Sequence, residues 1–172
     1  MRRDEDGFTL NELLVAGLVV SLALGLGAWS MRRYWQTRAL HGSVDEVVSE
    51  LRSEQQDAST ATHPWVYGAW FMPESERWGV VKGNSLTGAC EVLSRRTLGT
   101  GVRIASASFD DVSTNDLTSN CAAAAEDGAE VVFFFARGTA TGGTVALSHP
   151  EVSAGAPKTV RVYPVTGKVE RE

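Results

Sequence analysis

"DGFTLNELLVAGLVVSLALGLGAW", residues 6–29, is the segment that decides the fold. From Leu13 to Met31 the chain carries no charged side chain. In a helix this length spans roughly 28 Å, close to the ~30 Å hydrocarbon core of a bilayer. Aromatic residues and arginines follow, as is typical of a membrane–water interface. The segment therefore predicts a membrane-spanning helix, and Glu12 at its beginning is a charge that requires a functional explanation.

Two other interpretations of this segment are a cleaved secretory signal and a buried helix of a soluble domain. The apolar core is longer than that of a secretory signal and runs on into arginines, which favours an anchor. The charges do not settle its orientation, because arginines lie on both sides of the span: Arg2, Arg3, Arg32, Arg33 and Arg38.

Length and charge limit what the rest of the chain does. The 172 residues fit the anchor and one modest domain. The formal net charge is −5, so no overall basic field attracts nucleic acid. A role in DNA binding must therefore depend on a local basic patch.

The helix is predicted to continue beyond the membrane over residues 32–61. One apolar stripe recurs at helical spacing, with charged residues beside it: Leu40, Val44, Val47, Val48 and Leu51. His63 precedes Pro64 and is disfavoured in a helix, so the helix should end shortly before it. The result is one helix of which the first half, 8–31, lies in lipid and the second half is amphipathic.

Residues 62–172 are predicted to form a β-rich globular domain. Short segments rich in β-branched and aromatic residues alternate with glycine-rich or polar turns. Strands are predicted at 65–71, 78–81, 89–98, 102–109, 130–136, 144–149, 159–164 and 168–170, and surface loops at 110–128 and 150–157. The predicted fold class is α+β, with the long helix packed on a mostly antiparallel sheet.

The start of the chain resembles the signature of type IV prepilins and pseudopilins. The matching motif is a short charged leader followed by Gly7, Phe8, Thr9, Leu10, Glu12, Leu13 and Leu14. The resemblance implies that a prepilin peptidase of the membrane removes residues 1–7 and methylates Phe8. It also implies that Glu12 supports filament assembly, and that the leader lies in the cytoplasm with the C-terminal domain outside. Asn11 departs from the pattern, because the family usually has an apolar residue there.

Later segments resemble the GspH and FimT group of minor pilins. They are WGVVKG, RRTLGTGVRI, VVFFFARGTATGGTVAL and VRVYPVTGKVE, in this order. The resemblance implies a non-catalytic minor subunit of a type IV pilus or a type II secretion pseudopilus, anchored in the cytoplasmic membrane. Its partners would be prepilin peptidase, the other pilins or pseudopilins of the filament, and membrane lipid.

The alternative function is DNA binding in a pilus of natural transformation. Some relatives of the FimT kind bind DNA through basic residues near a C-terminal Gly–Arg turn, which corresponds here to Gly167 and Lys168. Arg171 follows, and a second candidate patch consists of Arg95, Arg96 and Arg103. Acidic neighbours at the C-terminus oppose this function, because affinity for DNA depends on the phosphates that are neutralised.

Small residues recur every four positions in the membrane segment, at Gly17, Ser21 and Gly25. They lie on one helix face, where small side chains let helix backbones approach closely. Glycine is also frequent in membrane helices without such a role. We expect this face to pack against other helices.

The two cysteines, Cys90 and Cys121, most simply form a disulfide in an exported domain, with free buried thiols as the alternative. They lack the histidine neighbours of a zinc site. The three histidines, His41, His63 and His149, follow no catalytic or metal-binding spacing. The sequence predicts no enzyme, no metal and no cofactor.

Overall fold

The computed structural model of the chain describes residues 10–111, 116–152 and 157–171. It divides into two compact units, Met1–Trp35 and Gln36–Glu172. We describe each unit by itself. The predicted leader and cleavage position, 1–8, lie outside the described residues.

The first element is one long helix, α1, over Leu10–Thr60. In the first unit its described side chains are exposed, although an apolar helix of this kind is normally surrounded by other apolar groups. In the second unit the predicted stripe is buried, and Val44, Val47 and Leu51 have no exposed surface. The helix ends four residues before Pro64, where the chain turns into the first strand.

Eight strands follow, with one short helix between the fourth and the fifth. Their bounds are β1 Trp65–Phe71, β2 Arg77–Asn84, β3 Cys90–Thr97, β4 Arg103–Phe109, α2 Leu117–Ala125, β5 Glu130–Phe134, β6 Gly143–Ser148, β7 Lys158–Val162 and β8 Val169–Arg171. They form two antiparallel sheets: sheet A in the order β3-β2-β1-β5, and sheet B in the order β4-β6-β7-β8.

The main core lies between the amphipathic half of α1, one face of sheet A and one face of sheet B. Phe71 and Trp78 stack in it with their ring centroids 6.0 Å apart. A second core lies on the other face of sheet A, where Trp70, Val131 and Phe133 pack against α2. The alternation of Trp70 and Phe71 between the two cores follows from the period of two in a strand.

The structure confirms the predicted fold class, with two differences. Two four-stranded sheets replace the one sheet that was expected. The interval 110–128, predicted as a loop, contains α2. Its sequence LTSNCAAAA buries Leu117, Cys121 and Ala125 at helical spacing. The segment consists mainly of small side chains, and alanine contributes little to hydrophobic periodicity. The apolar face of α2 was therefore not evident from the sequence.

Cys90 at the start of β3 is joined to Cys121 of α2 by a disulfide, with their Cα atoms 5.2 Å apart. Cys121 has no exposed surface. The bond therefore links the edge strand of sheet A to the helix that covers it.

The double substitution Cys90→Ser and Cys121→Ser should lower the free energy of unfolding of the 36–172 unit by about 3 to 4 kcal/mol. This is the loss expected from opening a loop of this length in the unfolded chain. Urea denaturation of the oxidised protein and the double variant measures it. In unreduced, denatured wild type, alkylation of either thiol would contradict the disulfide.

Candidate assembly helix and basic surface

Glu12 is the acidic residue in the first turn of α1, and its side chain is exposed. A carboxylate is favoured there because the amide groups of a helix N-terminus carry partial positive charge. Gly7 and Phe8, its proposed companions in processing and assembly, lie outside the described residues. The structure thus shows the helical position of Glu12, and its distance from the predicted cleavage position is known from the sequence alone.

The face that carries Gly17, Ser21 and Gly25 is open. A Cβ atom placed on either glycine meets no atom within 4 Å. The hydroxyl of Ser21 donates a hydrogen bond to the carbonyl of Gly17 at 2.7 Å, so its polarity is satisfied within the helix. This leaves a shallow groove between leucines, lined by Leu13, Leu14, Gly17, Leu18, Ser21 and Leu22. Such a groove suits close approach by a second helix.

By length and composition, α1 can cross a membrane. Its most apolar window has a mean hydropathy of 2.1, and none of that window is buried inside the protein. An apolar surface of this extent requires lipid or other helices around it, because water solvates it poorly.

In the second unit, charged groups join α1 to sheet A. The guanidinium of Arg96 donates to both carboxylate oxygens of Glu50, at 3.1 and 2.6 Å. The same guanidinium lies 5.5 Å from the ring centroid of Trp78. One turn further along α1, Glu54 is 5% exposed, and its Oε2 has no hydrogen-bond partner among the described residues. Burial, together with the charges of Asp57 and Glu50, raises the pKa of Glu54 to about 7.

The C-terminal basic residues of the predicted DNA patch are engaged by acidic groups. Arg171 contacts Asp45 of α1 at 2.8 Å. Lys168 forms an ion pair with Glu170, which raises the pKa of the lysine and lowers that of the glutamate. Each cation thus has a carboxylate of the same chain where a phosphate would have to bind.

In the second predicted patch, Arg95 and Arg96 border one cleft, but they have different partners and Arg103 lies elsewhere. Arg95 donates to the carbonyls of Ala124 and Ala125 at the end of α2, at 3.2 and 3.3 Å. Arg96 points to the other side, towards Glu50, because successive residues of a strand alternate between faces. Arg103 is exposed and lies in a different cleft, beside Pro150. These pairings could not be predicted from local sequence, since the partners of Arg95 and Arg96 are 29 to 46 positions away along the chain.

Among the described residues, no cluster of three or more His, Cys, Asp or Glu side chains is arranged to hold a metal ion. The geometry offers helix surfaces, ion pairs and strand edges, which are the means of protein–protein contact.

A long N-terminal helix packed on antiparallel sheets is the architecture of pilin-like proteins. The sequence matches no model of a known protein family and no curated protein. Two solved structures of the minor pseudopilin EpsH from the type 2 secretion system of Vibrio cholerae share the fold, each with a TM-score of 0.53. The identities are 10% and 12%, over 77% and 79% of this chain and 95% and 94% of theirs. The predicted resemblance to pseudopilins is thus confirmed at the level of the fold.

Proposed function

We propose that this chain is a minor pseudopilin of the type II secretion kind, a structural subunit without catalytic activity. The observation that carries the proposal is the shared fold, which spans nearly the whole length of the EpsH structures. The prepilin-like motif at residues 7–14 supports the proposal independently of the fold. The motif lies before the amphipathic half of α1, which is the part of the helix that packs in the domain core.

In the proposed function, the first half of α1 holds the subunit in the cytoplasmic membrane and later packs among the helices of the filament. Its apolar surface suits both environments, since lipid tails and helix side chains are similarly apolar. The helix face at Gly17, Ser21 and Gly25, which includes the groove, is the proposed contact with a neighbouring helix. The C-terminal domain lies outside the membrane, where an oxidising compartment maintains the disulfide.

Glu12 is proposed to set the axial position of the subunit. Removal of residues 1–7 creates an amine on Phe8, four positions before this carboxylate. Between neighbouring helices, the amine of an incoming subunit meets the carboxylate of one that is already in place. The attraction is strong because the dielectric around both groups is low.

No observation among the described residues favours the alternative function, DNA binding in a DNA-uptake pilus. Three of its five proposed contacts already bind carboxylates of the same chain, and DNA would have to displace these groups. Since each displaced partner reduces the gain from neutralising a phosphate, we propose assembly as the function.

The first test is maturation in cells that contain an active prepilin peptidase. We expect the intact mass of the native membrane protein to show loss of residues 1–7 and one added methyl group on Phe8. Gly7→Leu should retain the leader, because the enzyme then lacks the small residue before the cleaved bond. A native protein that keeps its leader while another pilin of the same cell is processed would contradict the proposal.

A further inference from the structure

The edges of the two sheets are not equally protected. A strand edge presents unpaired peptide groups, and proteins usually cover such edges. At β5, the amide of Thr141 donates to the carbonyl of Phe133 at 2.9 Å, so the following segment closes that edge. At β4, the amide of Glu74 donates to the carbonyl of Ile104 at 2.8 Å, and the amide of Ile104 donates to Ser75 at 2.7 Å.

The edge of β8 is covered by α1, since the guanidinium of Arg52 donates to the carbonyl of Val169 at 3.2 Å. Each of these three edges is contacted at one residue or more, and the outer edge of β3 has no such contact among the described residues. Among the described residues, its backbone bonds only to β2, except at the carbonyl of Ser94, which accepts from the indole of Trp70 at 3.4 Å. β3 is eight residues long, so a row of peptide groups remains available for pairing.

A cleft of about 510 Å³ lies beside this edge. It is lined by Trp70, Arg77, Arg95, Arg96, Thr97, Ala125 and Glu126. Two of its three guanidinium groups have carboxylate partners, Arg77 with Glu126 and Arg96 with Glu50. Arg95 bonds only to neutral carbonyls among the described residues, so the cleft has an uncompensated positive charge next to the open edge.

The edge also has features that oppose indiscriminate pairing. The register between β2 and β3 shifts so that Leu93 has no partner in β2, which makes a bulge. Bulges and charged side chains on an edge strand disfavour pairing with a random apolar strand. The same arginines favour a strand that carries a carboxylate, because opposite charges across a strand pair attract.

We propose that the β3 edge is a docking site for an extended segment of another pilin subunit, which adds to sheet A as a fifth strand. A carboxylate of that segment binds Arg95 in the adjacent cleft. Main-chain hydrogen bonds supply the affinity of such strand addition, and the side-chain contact supplies the specificity. The identity of the partner as a pilin rests on the proposed function.

The test is photo-cross-linking of the full chain in native membranes that contain the other pilins. Leu93→benzoylphenylalanine places the reactive group on the edge, where this side chain is 47% exposed. Val165→benzoylphenylalanine is the control, because Val165 is 80% exposed but lies in the turn between β7 and β8. We expect a cross-link from position 93 alone, which mass spectrometry maps to an extended, carboxylate-bearing segment of another pilin.

Arg95→Glu should lower the yield of this cross-link about tenfold or more, since it replaces an attraction with a repulsion. Arg137→Glu, an exposed arginine beyond the end of β5, should leave it unchanged. Conversion of the mapped partner carboxylate to lysine should restore the cross-link with Arg95→Glu, which a merely unfolded variant cannot do.

Absence of a cross-link at position 93, or one that Arg95→Glu leaves intact, would overturn the docking site. If the chain is still processed and co-assembles, only this inference fails and the proposed function stands. A mapped helical segment would also overturn it. The docking site would also be overturned if the protein shifted the mobility of duplex DNA at low salt and Arg95→Glu abolished this shift. The cleft would then be a binding site for phosphate.

Discussion

Glu12→Gln should insert in the membrane and lose its leader normally, yet fail to co-purify with its partner pilins. The substitution keeps the size of the side chain and removes its charge. Two unit charges about 4 Å apart attract by about 4 kcal/mol at an effective dielectric of 20. Since about 1.4 kcal/mol corresponds to a tenfold change in binding, loss of this pair should reduce co-purification at least about tenfold. Affinity capture of a partner pilin, followed by quantitative blotting, measures the change.

The competing explanation of Glu12 is that it only stabilises the N-terminus of α1, near the headgroups of the membrane. That contribution is typically below about 1 kcal/mol. A matched control is Glu46→Gln, which makes the same chemical change at an exposed carboxylate in the second unit of the same helix. Co-purification of Glu12→Gln at the level of this control would show that the charge has no role in assembly.

Glu54→Gln should stabilise the 36–172 unit at pH 8 by about 3 kcal/mol, and hardly at all near pH 4.5. The pKa of Glu54 is about 7 in the fold, compared with 4.5 for an ordinary glutamate. Below the ordinary value the folded and unfolded chains are both protonated, so the carboxyl imposes no electrostatic cost. Between the two values only the unfolded chain has lost the proton, and the free energy of unfolding falls by about 1.4 kcal/mol per pH unit.

Above pH 7 the decrease in the free energy of unfolding reaches its full value, because Glu54 is then ionised in both the folded and the unfolded chain. Urea denaturation across this pH range should give curves for wild type and Glu54→Gln that diverge as pH rises. Glu46→Gln is the matched control, since Glu46 is an exposed carboxylate of the same helix. If wild type and Glu54→Gln respond to pH in parallel, burial does not hold the proton on Glu54.

The local distribution of apolar and β-branched residues along the chain was sufficient to predict much of the fold. The stripe from Leu40 to Leu51 predicted which face of α1 is buried, because a helix repeats every 3.6 residues. The first strand was predicted with the bounds that the structure shows, at Trp65–Phe71, because aromatic and β-branched residues are concentrated there. Each of these signals lies within about a dozen residues of sequence.

Two features that depend on distant residues were not predicted. The division into two sheets depends on which strands pair, and alternation along a strand is the same in either arrangement. In the two candidate basic patches, Arg171 and Arg96 are bound by Asp45 and Glu50 of α1. Ion pairs of this kind follow only from the packed fold.

The bond between Cys90 and Cys121 has a consequence for how the domain bears tension. The segment that it closes, 31 positions long, includes all of β3 and β4. When the domain is unfolded by tension along the chain, the load passes through the sulfur atoms and bypasses this segment. About 100 Å of extended chain is thereby withheld from stretching. The oxidised domain therefore lengthens less on mechanical unfolding than its reduced form, although the two have the same length while folded.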